Sequence, residues 1–356
     1  MKILSVVGAR PQFIKLALLS QEIKKHFKEI IVHTGQHYDY EMSKIFFKNL
    51  EIPEPDYNLG VGSAEREEQI KKMNDGLEKI FLEEKPDLVI VFGDTNSTLA
   101  GAQVASKLGI KLAHVESGMR SFDKTMPEEI NRIETDKVSD ILFCSTKTAV
   151  DNLDKEGMKG SIHLVGDIMI DALKASIAAA EKNSNIIEQL NLKEKEFMVA
   201  TVHRAGNTDD EENLKNIVEA FVECGDKIVF PVHPRTTKAL KSYGLDRKFE
   251  ATNVIVVKPL GYIDMLVLEK NSKKILTDSG GMQKEAYFFK VPCITIRDTT
   301  EWVETVEDGW NTLTGPNKKK MLDAIKNFES ERNQNESYGN GEASKNIIKI
   351  IGNLNF

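Results

Sequence analysis

Short apolar runs alternate with longer amphipathic stretches along most of this chain. The first run, residues 3–7, is followed by apolar residues at helical spacing from Phe13 to Ile23. The run at residues 88–92 shows no polar alternation, which is typical of a strand covered on both faces. The repeat of strand and helix predicts an α/β fold with parallel sheets.

The strand–helix pattern restarts in the second half of the chain. Strands are predicted at residues 3–7, 30–32, 88–92, 111–115, 141–144 and 162–165, and then at 197–202, 227–232, 254–257, 273–276 and 291–296. Further helices are predicted at residues 38–50, 65–84, 98–108, 171–188 and 342–351.

The length of the chain also favours two domains, because 356 residues exceed the size of one ordinary core. We predict Rossmann-like domains at residues 1–167 and 168–340, followed by a helix within residues 341–356. Two halves of similar size predict a cleft between two sheets. Ligands of open parallel sheets bind beyond the carboxyl ends of the strands, so the informative residues should follow strands.

Composition and charge exclude several classes of protein. A net charge of −7 argues against a general nucleic-acid binder, which needs a basic face. The three cysteines lie far apart without a CxxC motif, which favours buried free thiols in a reducing compartment. No apolar run has the length of a signal-peptide core or a membrane span. We therefore expect a soluble cytoplasmic protein that neither crosses a membrane nor binds nucleic acid.

A Ser-Gly-Gly turn follows the predicted strand at residues 273–276. Ser279, Gly280 and Gly281 lead into a predicted helix, so free N–H groups would point outward at the positive end of its dipole. Two glycines permit a positive φ and a close approach of ligand to backbone. This geometry suits a phosphate, and Glu285 one turn later could accept hydrogen bonds from a ribose. The alternative is a capped helix without a ligand.

Charged residues also cluster after the strands of the first half. Arg10 and Lys15 flank the first strand–helix turn, either as an anion site or as solvated cations. Asp94 and Glu116 follow two apolar runs, although Asp94 could instead cap the next helix. Three carboxylates that converge would suit general acid–base catalysis. The third is Glu128, which lies i,i+4 from Arg132 and could alternatively form a surface ion pair with it.

The second half offers cations and hydroxyls at matching positions. His203 and Arg204 follow its first strand, and His233 follows the next. Arg297 and Thr299 follow the strand after the Ser-Gly-Gly turn, where Thr299 could contact a ligand or cap a turn. There is no GxxxxGK[ST] loop, no dinucleotide fingerprint, no HExxH and no Asp-x-Asp. We therefore predict no metal and no NAD, with phosphate charge met by side-chain cations and backbone N–H groups.

Seven of these segments, in this order and spacing, resemble the non-hydrolysing UDP-N-acetylglucosamine 2-epimerases. The segments are GARPQFIK at residues 8–15, FGDT at 92–95, HVESGMR at 114–120, PEEINR at 127–132, HR at 203–204, TDSGG at 277–281 and RDTTE at 297–301. The resemblance implies a GT-B-like fold whose C-terminal helix crosses back to the first domain. It also implies a homodimeric isomerase that interconverts UDP-GlcNAc and UDP-ManNAc without a cofactor and supplies UDP-ManNAc for polysaccharide or glycan synthesis.

The resemblance further implies roles for individual residues. UDP is eliminated to leave 2-acetamidoglucal and then adds back, with Asp94, Glu116 and Glu128 as the acid–base carboxylates in an order left open. His203 is matched as a further catalytic residue, which stabilises the departing diphosphate or positions the sugar. The residues matched to binding of the diphosphate, the sugar and the ribose are Arg10, Lys15, Arg132, Arg204, Ser279, Gly280, Gly281, Glu285, Arg297 and Thr299.

The chain departs from the family at two places. Trp302-Val303 stands where many bacterial members have Arg-Pro, and Asp39 stands where they have Gln. Many bacterial members bind a second UDP-GlcNAc as an activator, and here Gln36, Arg66 and His233 could correspond to that site. Three alternatives remain: a metal-independent GT-B glycosyltransferase that uses a UDP-sugar, a hydrolysing relative that releases free ManNAc, and a UDP-sugar sensor.

Overall fold

The protein folds into two compact α/β units. The computed structural model describes residues 1–36, 54–330, 334–335 and 337–354, without the side chains of residues 10, 11, 178 and 179. Unit 1 comprises Met1–Ala172 with Glu336–Phe356, and unit 2 comprises Leu173–Asn335.

Unit 1 contains a seven-stranded parallel sheet in the order β3-β2-β1-β4-β5-β6-β7. Its strands are β1 (Lys2–Val7), β2 (Lys28–His33), β3 (Tyr57–Asn58), β4 (Leu88–Phe92), β5 (Lys111–Ser117), β6 (Ile141–Cys144) and β7 (Ser161–Leu164). Its described helices are α1 (Arg10–His26), α2 (Arg66–Glu84), α3 (Asn96–Leu108), α4 (Pro127–Val138), α5 (Lys147–Glu156), α6 (Ile168–Asn183) and, near the C-terminus, α15 (Ala343–Gly352). Helix α6 begins in unit 1 and continues into unit 2.

Unit 2 contains a six-stranded parallel sheet in the order β10-β9-β8-β11-β12-β13. Its strands are β8 (Met198–Thr201), β9 (Ile228–Pro231), β10 (Val254–Val257), β11 (Lys274–Thr277), β12 (Cys293–Thr295) and β13 (Asn311–Leu313). Its described helices are α7 (Ile186–Gln189), α8 (Ala205–Thr208), α9 (Glu211–Glu223), α10 (Pro234–Ser242), α11 (Tyr262–Asn271), α12 (Gly280–Phe288), α13 (Val303–Glu307) and α14 (Lys318–Asn327), with a 3-10 turn at Asp246–Phe249.

Helices cover both faces of the central strands, which explains why those strands are apolar without alternation. All five residues of β4 have no exposed surface, as that sequence pattern predicts. At about 25 cal/mol per Å², burial of such Val, Leu, Ile and Phe side chains supplies most of the driving force for folding. The predicted fold class, two parallel α/β sheets, is confirmed.

The differences from the predicted elements lie at short or interrupted segments. The two-residue strand β3 and the three-residue strand β13 were not predicted, because neither carries enough apolar residues to register as a run. The helix predicted at residues 171–188 is divided into α6 and α7. The helix predicted at residues 38–50 lies outside the described residues.

The last helix belongs to unit 1. Helix α15 packs against α1, and Asp171 accepts hydrogen bonds from the N–H groups of Ala343 and Ser344 at 3.1 and 2.8 Å. An aspartate at a helix N-terminus satisfies otherwise orphaned donors and favours the dipole. None of the helices within the described ranges is both long enough and apolar enough to cross a membrane.

The cysteines are free thiols, as predicted, although their burial differs. Cys144 and Cys293 are buried, whereas Cys224 is only partly buried at the end of α9. Burial raises the pKa of the Cys293 thiol to about 12 and also raises that of Cys144. Both therefore remain protonated at neutral pH.

Candidate active site

Each sheet has one point where the strand order reverses, and several of the predicted site residues follow the two strands beside it. The reversal lies between β1 and β4 in unit 1 and between β8 and β11 in unit 2. Connections from neighbouring strands leave in opposite directions at such a point, so a crevice opens beyond the carboxyl ends of the strands.

Glu116 forms an ion pair with Lys15, and both side chains are about nine-tenths buried, with 11% and 7% exposed. Glu116 is a bulged residue of β5, since the pairing of β5 with β6 shifts register between Val115 and Ser117. Its φ of 77° lies in the left-handed region, at a cost of about 1–3 kcal/mol. Bulges of this kind commonly redirect a side chain next to an active site. The sequence indicates that Lys15 lies beside the first strand–helix turn and that Glu116 follows a strand, but it does not show that the two side chains form a pair.

Asp94 forms an ion pair with Arg132, whose side chain is only 5% exposed. The helix N-cap beside Asp94 is Thr95, which accepts from the Thr98 N–H, so the interpretation of Asp94 as a cap is wrong. The Asp94 carboxylate keeps 28% of its surface exposed and remains accessible to a ligand.

Arg132 pairs with Glu129 at 2.7 Å and not with Glu128, so the predicted i,i+4 pair is replaced by an i,i+3 pair. Glu129 is 1% exposed and accepts hydrogen bonds from the backbone N–H groups of Ser121 and Phe122. Glu128 is exposed in the first turn of α4. Sequence reasoning missed Glu129, because the sequence does not show which of two adjacent glutamates at a helix start lies on the buried face.

The first turn after β1 is held by Gln12, which sequence reasoning also left unassigned. Its side-chain oxygen accepts from the N–H groups of Gly8 and Ala9, and its nitrogen donates to the Phe92 carbonyl at 3.0 Å. A Cβ on Gly8 would overlap the hydroxyls of Ser97 and Thr34. The turn that carries Arg10 is thereby fixed to the end of β4, while the Arg10 side chain lies outside the described part of the structure.

Two residues suggested for an activator site lie near the same strand ends. Gln36 accepts hydrogen bonds from the Ser97 N–H and hydroxyl at 3.0 and 2.7 Å. Arg66 donates to Asn131, which in turn donates to the Asp94 carbonyl at 2.9 Å. Asp39 lies outside the described residues.

In unit 2, helix α12 begins with Gly280 at the end of β11. Neither Gly280 nor Gly281 has a positive φ, so the anticipated left-handed turn is absent at these two residues. The reason for glycine is steric, because a Cβ on Gly280 would lie 2.7 Å from Glu301 Oε1 and 3.0 Å from Trp302 Nε1. Ser279, the N-cap, makes no side-chain capping hydrogen bond, so the first N–H groups of the helix point outward.

Asp278 connects the ends of β8 and β11. It has no exposed surface and accepts hydrogen bonds from the N–H groups of His203 and Arg204 at 2.9 Å and from Asn207 at 3.0 Å. Burial disfavours its charge, but these hydrogen bonds and the His203 ring outweigh that effect, so the pKa of Asp278 is lowered. His203 Nδ1 lies 3.1 Å from the Asp278 carboxylate, and the ring is 39% exposed.

The loop after β12 borders the start of α12. Arg297 pairs with Glu301 at 3.0 Å. Thr299 is exposed, whereas its neighbour Thr300 is buried and donates to Gln283 at 2.6 Å. Lys284 Nζ lies 3.9 Å from the centre of the Trp302 ring, a cation–π contact.

The remaining predicted residues of unit 2 are more dispersed. Glu285 is 8% exposed on the second turn of α12. Arg204 donates from Nε to the Asp278 carbonyl at 3.0 Å and is 34% exposed. His233 is the N-cap of α10, with its ring 5.7 Å from that of His203. Within the described ranges, no three His, Cys, Asp or Glu side chains form a metal-ligand group.

Comparison with known proteins identifies the family. The UDP-N-acetylglucosamine 2-epimerase family model matches residues 21–352. The chain is 56% identical to a UDP-N-acetylglucosamine 2-epimerase homolog of Methanococcus maripaludis, with 99% of this chain and 100% of that protein aligned. It is 46% identical to the UDP-2,3-diacetamido-2,3-dideoxy-D-glucuronate 2-epimerase of Pseudomonas aeruginosa, over 99% and 100%.

A solved structure is similar over the whole chain. The UDP-GlcNAc 2-epimerase of Methanocaldococcus jannaschii, crystallised in complex with UDP-GlcNAc and UDP, superposes with a TM-score of 0.92 at 46% identity, covering 99% of each chain. Both the family match and these identities extend over nearly all of the residues described above. The chain belongs to the UDP-N-acetylglucosamine 2-epimerase family.

Proposed function

We propose that this protein is a non-hydrolysing UDP-GlcNAc 2-epimerase, an isomerase that interconverts UDP-GlcNAc and UDP-ManNAc without NAD. The observation that carries the proposal is the occurrence of two ion pairs, Lys15–Glu116 and Arg132–Asp94, beside the ends of β4 and β5. The Lys15, Glu116 and Arg132 side chains are about nine-tenths buried or more, while Asp94 keeps 28% of its surface exposed. Each presents a charged carboxylate beside a fixed cation. Family membership and the M. jannaschii structure support the same substrate.

Unit 1 would carry the proton chemistry at C2. A carboxylate removes the C2 proton, a C1–C2 double bond forms, and the C1–oxygen bond breaks so that its electron pair leaves with UDP. The glycal is then protonated on the opposite face while the diphosphate oxygen adds back to C1. Asp94, Glu116 and the exposed Glu128 supply the carboxylates, and removal of one general base typically costs about 10²–10⁴ in rate.

Unit 2 would hold UDP through both steps. The outward N–H groups of α12 at Ser279, Gly280 and Gly281 meet the diphosphate at the positive end of the helix dipole. His203, Arg204, Arg297 and Thr299 border the same helix start from the ends of β8 and β12, and Glu285 binds the ribose. Retaining UDP is essential here, because its loss after elimination would release the glycal.

Proton NMR of UDP-GlcNAc with the protein in D2O tests the proposal. A second anomeric signal should grow in for UDP-ManNAc, and deuterium should replace the C2 proton in both sugars. Free ManNAc with UDP would indicate the hydrolysing reaction. Turnover that requires an acceptor alcohol would indicate a glycosyltransferase. Absence of C2 exchange with substrate bound would indicate a sensor and contradict the epimerase.

The substrate should be tested against one alternative. The P. aeruginosa relative named for UDP-2,3-diacetamido-2,3-dideoxy-D-glucuronate matches at the same 46% identity as the M. jannaschii enzyme. Each nucleotide sugar should therefore be assayed separately for C2 exchange at equal concentration. The proposal expects the higher kcat/KM with UDP-GlcNAc, and preference for the diacetamido uronate would reassign the substrate while keeping the reaction.

Three further predictions from the resemblance belong to the proposal. The enzyme would act in the cytoplasm as a homodimer, which light scattering of the purified protein tests. Gln36 and Arg66 in unit 1 and His233 in unit 2 would bind UDP-GlcNAc as an activator. Pure UDP-ManNAc should then be converted slowly until UDP-GlcNAc is added, and immediate full-rate conversion would contradict the activator site.

A further inference from the structure

A chain of buried charges lies beneath the strand ends that carry Asp94 and Glu116. His114 on β5 and Asp136 on α4 have no exposed surface, and Arg120 is 3% exposed. The His114 Nδ1 and Asp136 Oδ1 atoms are 2.7 Å apart. Arg120 lies 2.8 Å from the other Asp136 oxygen and binds Glu156 through two nitrogens at 2.8 and 2.7 Å. Charged groups of this kind are rarely buried completely unless they are paired.

Both ring nitrogens of His114 face acceptors. Nε2 lies 2.7 Å from the Gly93 carbonyl oxygen, which can only accept, so Nε2 carries a hydrogen. Nδ1 faces the Asp136 carboxylate, which also accepts from the Gly118 N–H at 3.1 Å. A carboxylate that receives several N–H groups is ionised, so Nδ1 carries a hydrogen as well. The ring is then an imidazolium, and with Asp136, Arg120 and Glu156 the group is neutral overall.

The ionised state of Asp136 is consistent with its surroundings. Burial disfavours the charge, but the His114 ring and the Arg120 guanidinium outweigh burial, and the pKa of Asp136 is lowered.

The His114 and Asp136 side chains hydrogen-bond to backbone groups close in sequence to Asp94 and Glu116, the two proposed catalytic carboxylates. Gly93, which the His114 ring binds, immediately precedes Asp94, and its own N–H donates to the Val115 carbonyl at 2.9 Å. On the other side, Asp136 binds the Gly118 N–H two residues after Glu116. The Ser117 hydroxyl between them donates to the His114 carbonyl at 2.7 Å.

We propose that the buried His114–Asp136 ion pair positions Asp94 and Glu116 for proton transfer at C2, an inference that rests on the proposed epimerase function. The pair ties the turn after β4 to the bulge in β5, so the left-handed conformation of Glu116 is held from both sides. His114 and Asp136 are positioning residues, since they act through Gly93 and Gly118 and not on the substrate. A displacement of about 1 Å in such a constellation can reduce the rate about 100-fold.

Kinetics of His114→Gln and Asp136→Asn test the proposal. Glutamine retains one N–H donor for the Gly93 carbonyl, and asparagine retains the shape of Asp136 without its charge. Each should lower kcat for C2 exchange by about 10- to 100-fold. KM for UDP-GlcNAc should change by less than about threefold, because unit 2 is unaltered. The matched control is His163→Gln on β7, whose ring is partly exposed and lies within hydrogen-bond distance of Ser161 at 3.2 Å, and it should retain full kcat.

NMR of the isotopically labelled wild-type protein measures whether each ring nitrogen of His114 carries a hydrogen. A purely structural role would not require both nitrogens to be protonated. We expect two protonated ring nitrogens for His114, whose signals are assigned in the wild-type protein itself by uniform ¹³C and ¹⁵N labelling. A neutral His114 with one protonated nitrogen would overturn the ion pair, even if both variants failed to fold. Full kcat in both folded variants would overturn the positioning role.

The two proposals fail in distinguishable ways. Absence of C2 exchange by the wild-type protein would reject the epimerase function and with it the positioning role. The NMR result for His114 would still decide whether the ion pair exists.

Discussion

Replacing Glu129 with alanine gives the sharpest test of how unit 1 is held together. The carboxylate accepts from the N–H groups of Ser121 and Phe122 at 2.9 and 3.0 Å and pairs with Arg132. Hydrogen bonds to charged groups contribute about 1.5–3 kcal/mol each. Loss of one partner of a buried ion pair costs about 3–5 kcal/mol. Arg132 retains its ion pair with Asp94 in the variant, and the hydrogen-bond and ion-pair contributions of Glu129 overlap. We therefore expect a local destabilisation of about 3–5 kcal/mol in Glu129→Ala.

Amide hydrogen exchange measures this effect where it arises. At 1.4 kcal/mol per factor of ten, a loss of at least 3 kcal/mol accelerates exchange at Ser121 and Phe122 by about 100-fold or more. The matched control is Glu134→Ala on the same helix, where the Glu134 side chain is 51% exposed and pairs with Lys137, which is also exposed. Exposed pairs contribute about 0–1 kcal/mol, so the control should change little. Equal exchange in the two variants would refute the assigned role of Glu129.

Three further predictions concern other parts of the molecule. Gly280→Ala should weaken UDP binding at least about tenfold by calorimetry, because its Cβ would lie 2.7 Å from a carboxylate oxygen. Gly281→Ala should bind normally, because its Cβ would make an ordinary contact with Ser279 Oγ at 3.8 Å. The lowered pKa of Asp278 stabilises the fold above the unfolded-state value of about 3.9, and this stability is lost as pH falls below it. Urea unfolding at acid pH should therefore show a shallower pH dependence in Asp278→Asn than in wild type. Ellman's reagent should label the partly buried Cys224 before Cys293, and equal labelling rates in the native protein would contradict their different burial.

The fold could be read from the sequence because its signals are local and strong. The apolar runs at β1, β4 and β6 need cover on both faces, and only helices on each side of a parallel sheet supply it. Strands β3 and β13 are too short to give such a signal, and they form because a neighbouring strand already offers its edge.

The candidate site was predictable only in outline. The sequence identifies polar residues at strand ends, but pairing depends on the three-dimensional face that each side chain occupies. Glu129, Arg132 and Asp136 are spaced i, i+3 and i+7 on α4, so all three face the strand ends and are buried. Glu128, one residue away, lies on the exposed side. The steric requirement at Gly280 likewise depends on a loop about twenty residues later in the chain.

The most direct test of the central claim is the exchange of the UDP-GlcNAc C2 proton in D2O by Glu116→Gln. The substitution keeps the size of the side chain and removes the charge that pairs with Lys15. Exchange should fall about 10²-fold or more, with UDP still bound at near wild-type affinity. Exchange at the wild-type rate in this variant would show that the Lys15–Glu116 pair does not carry the proton transfer.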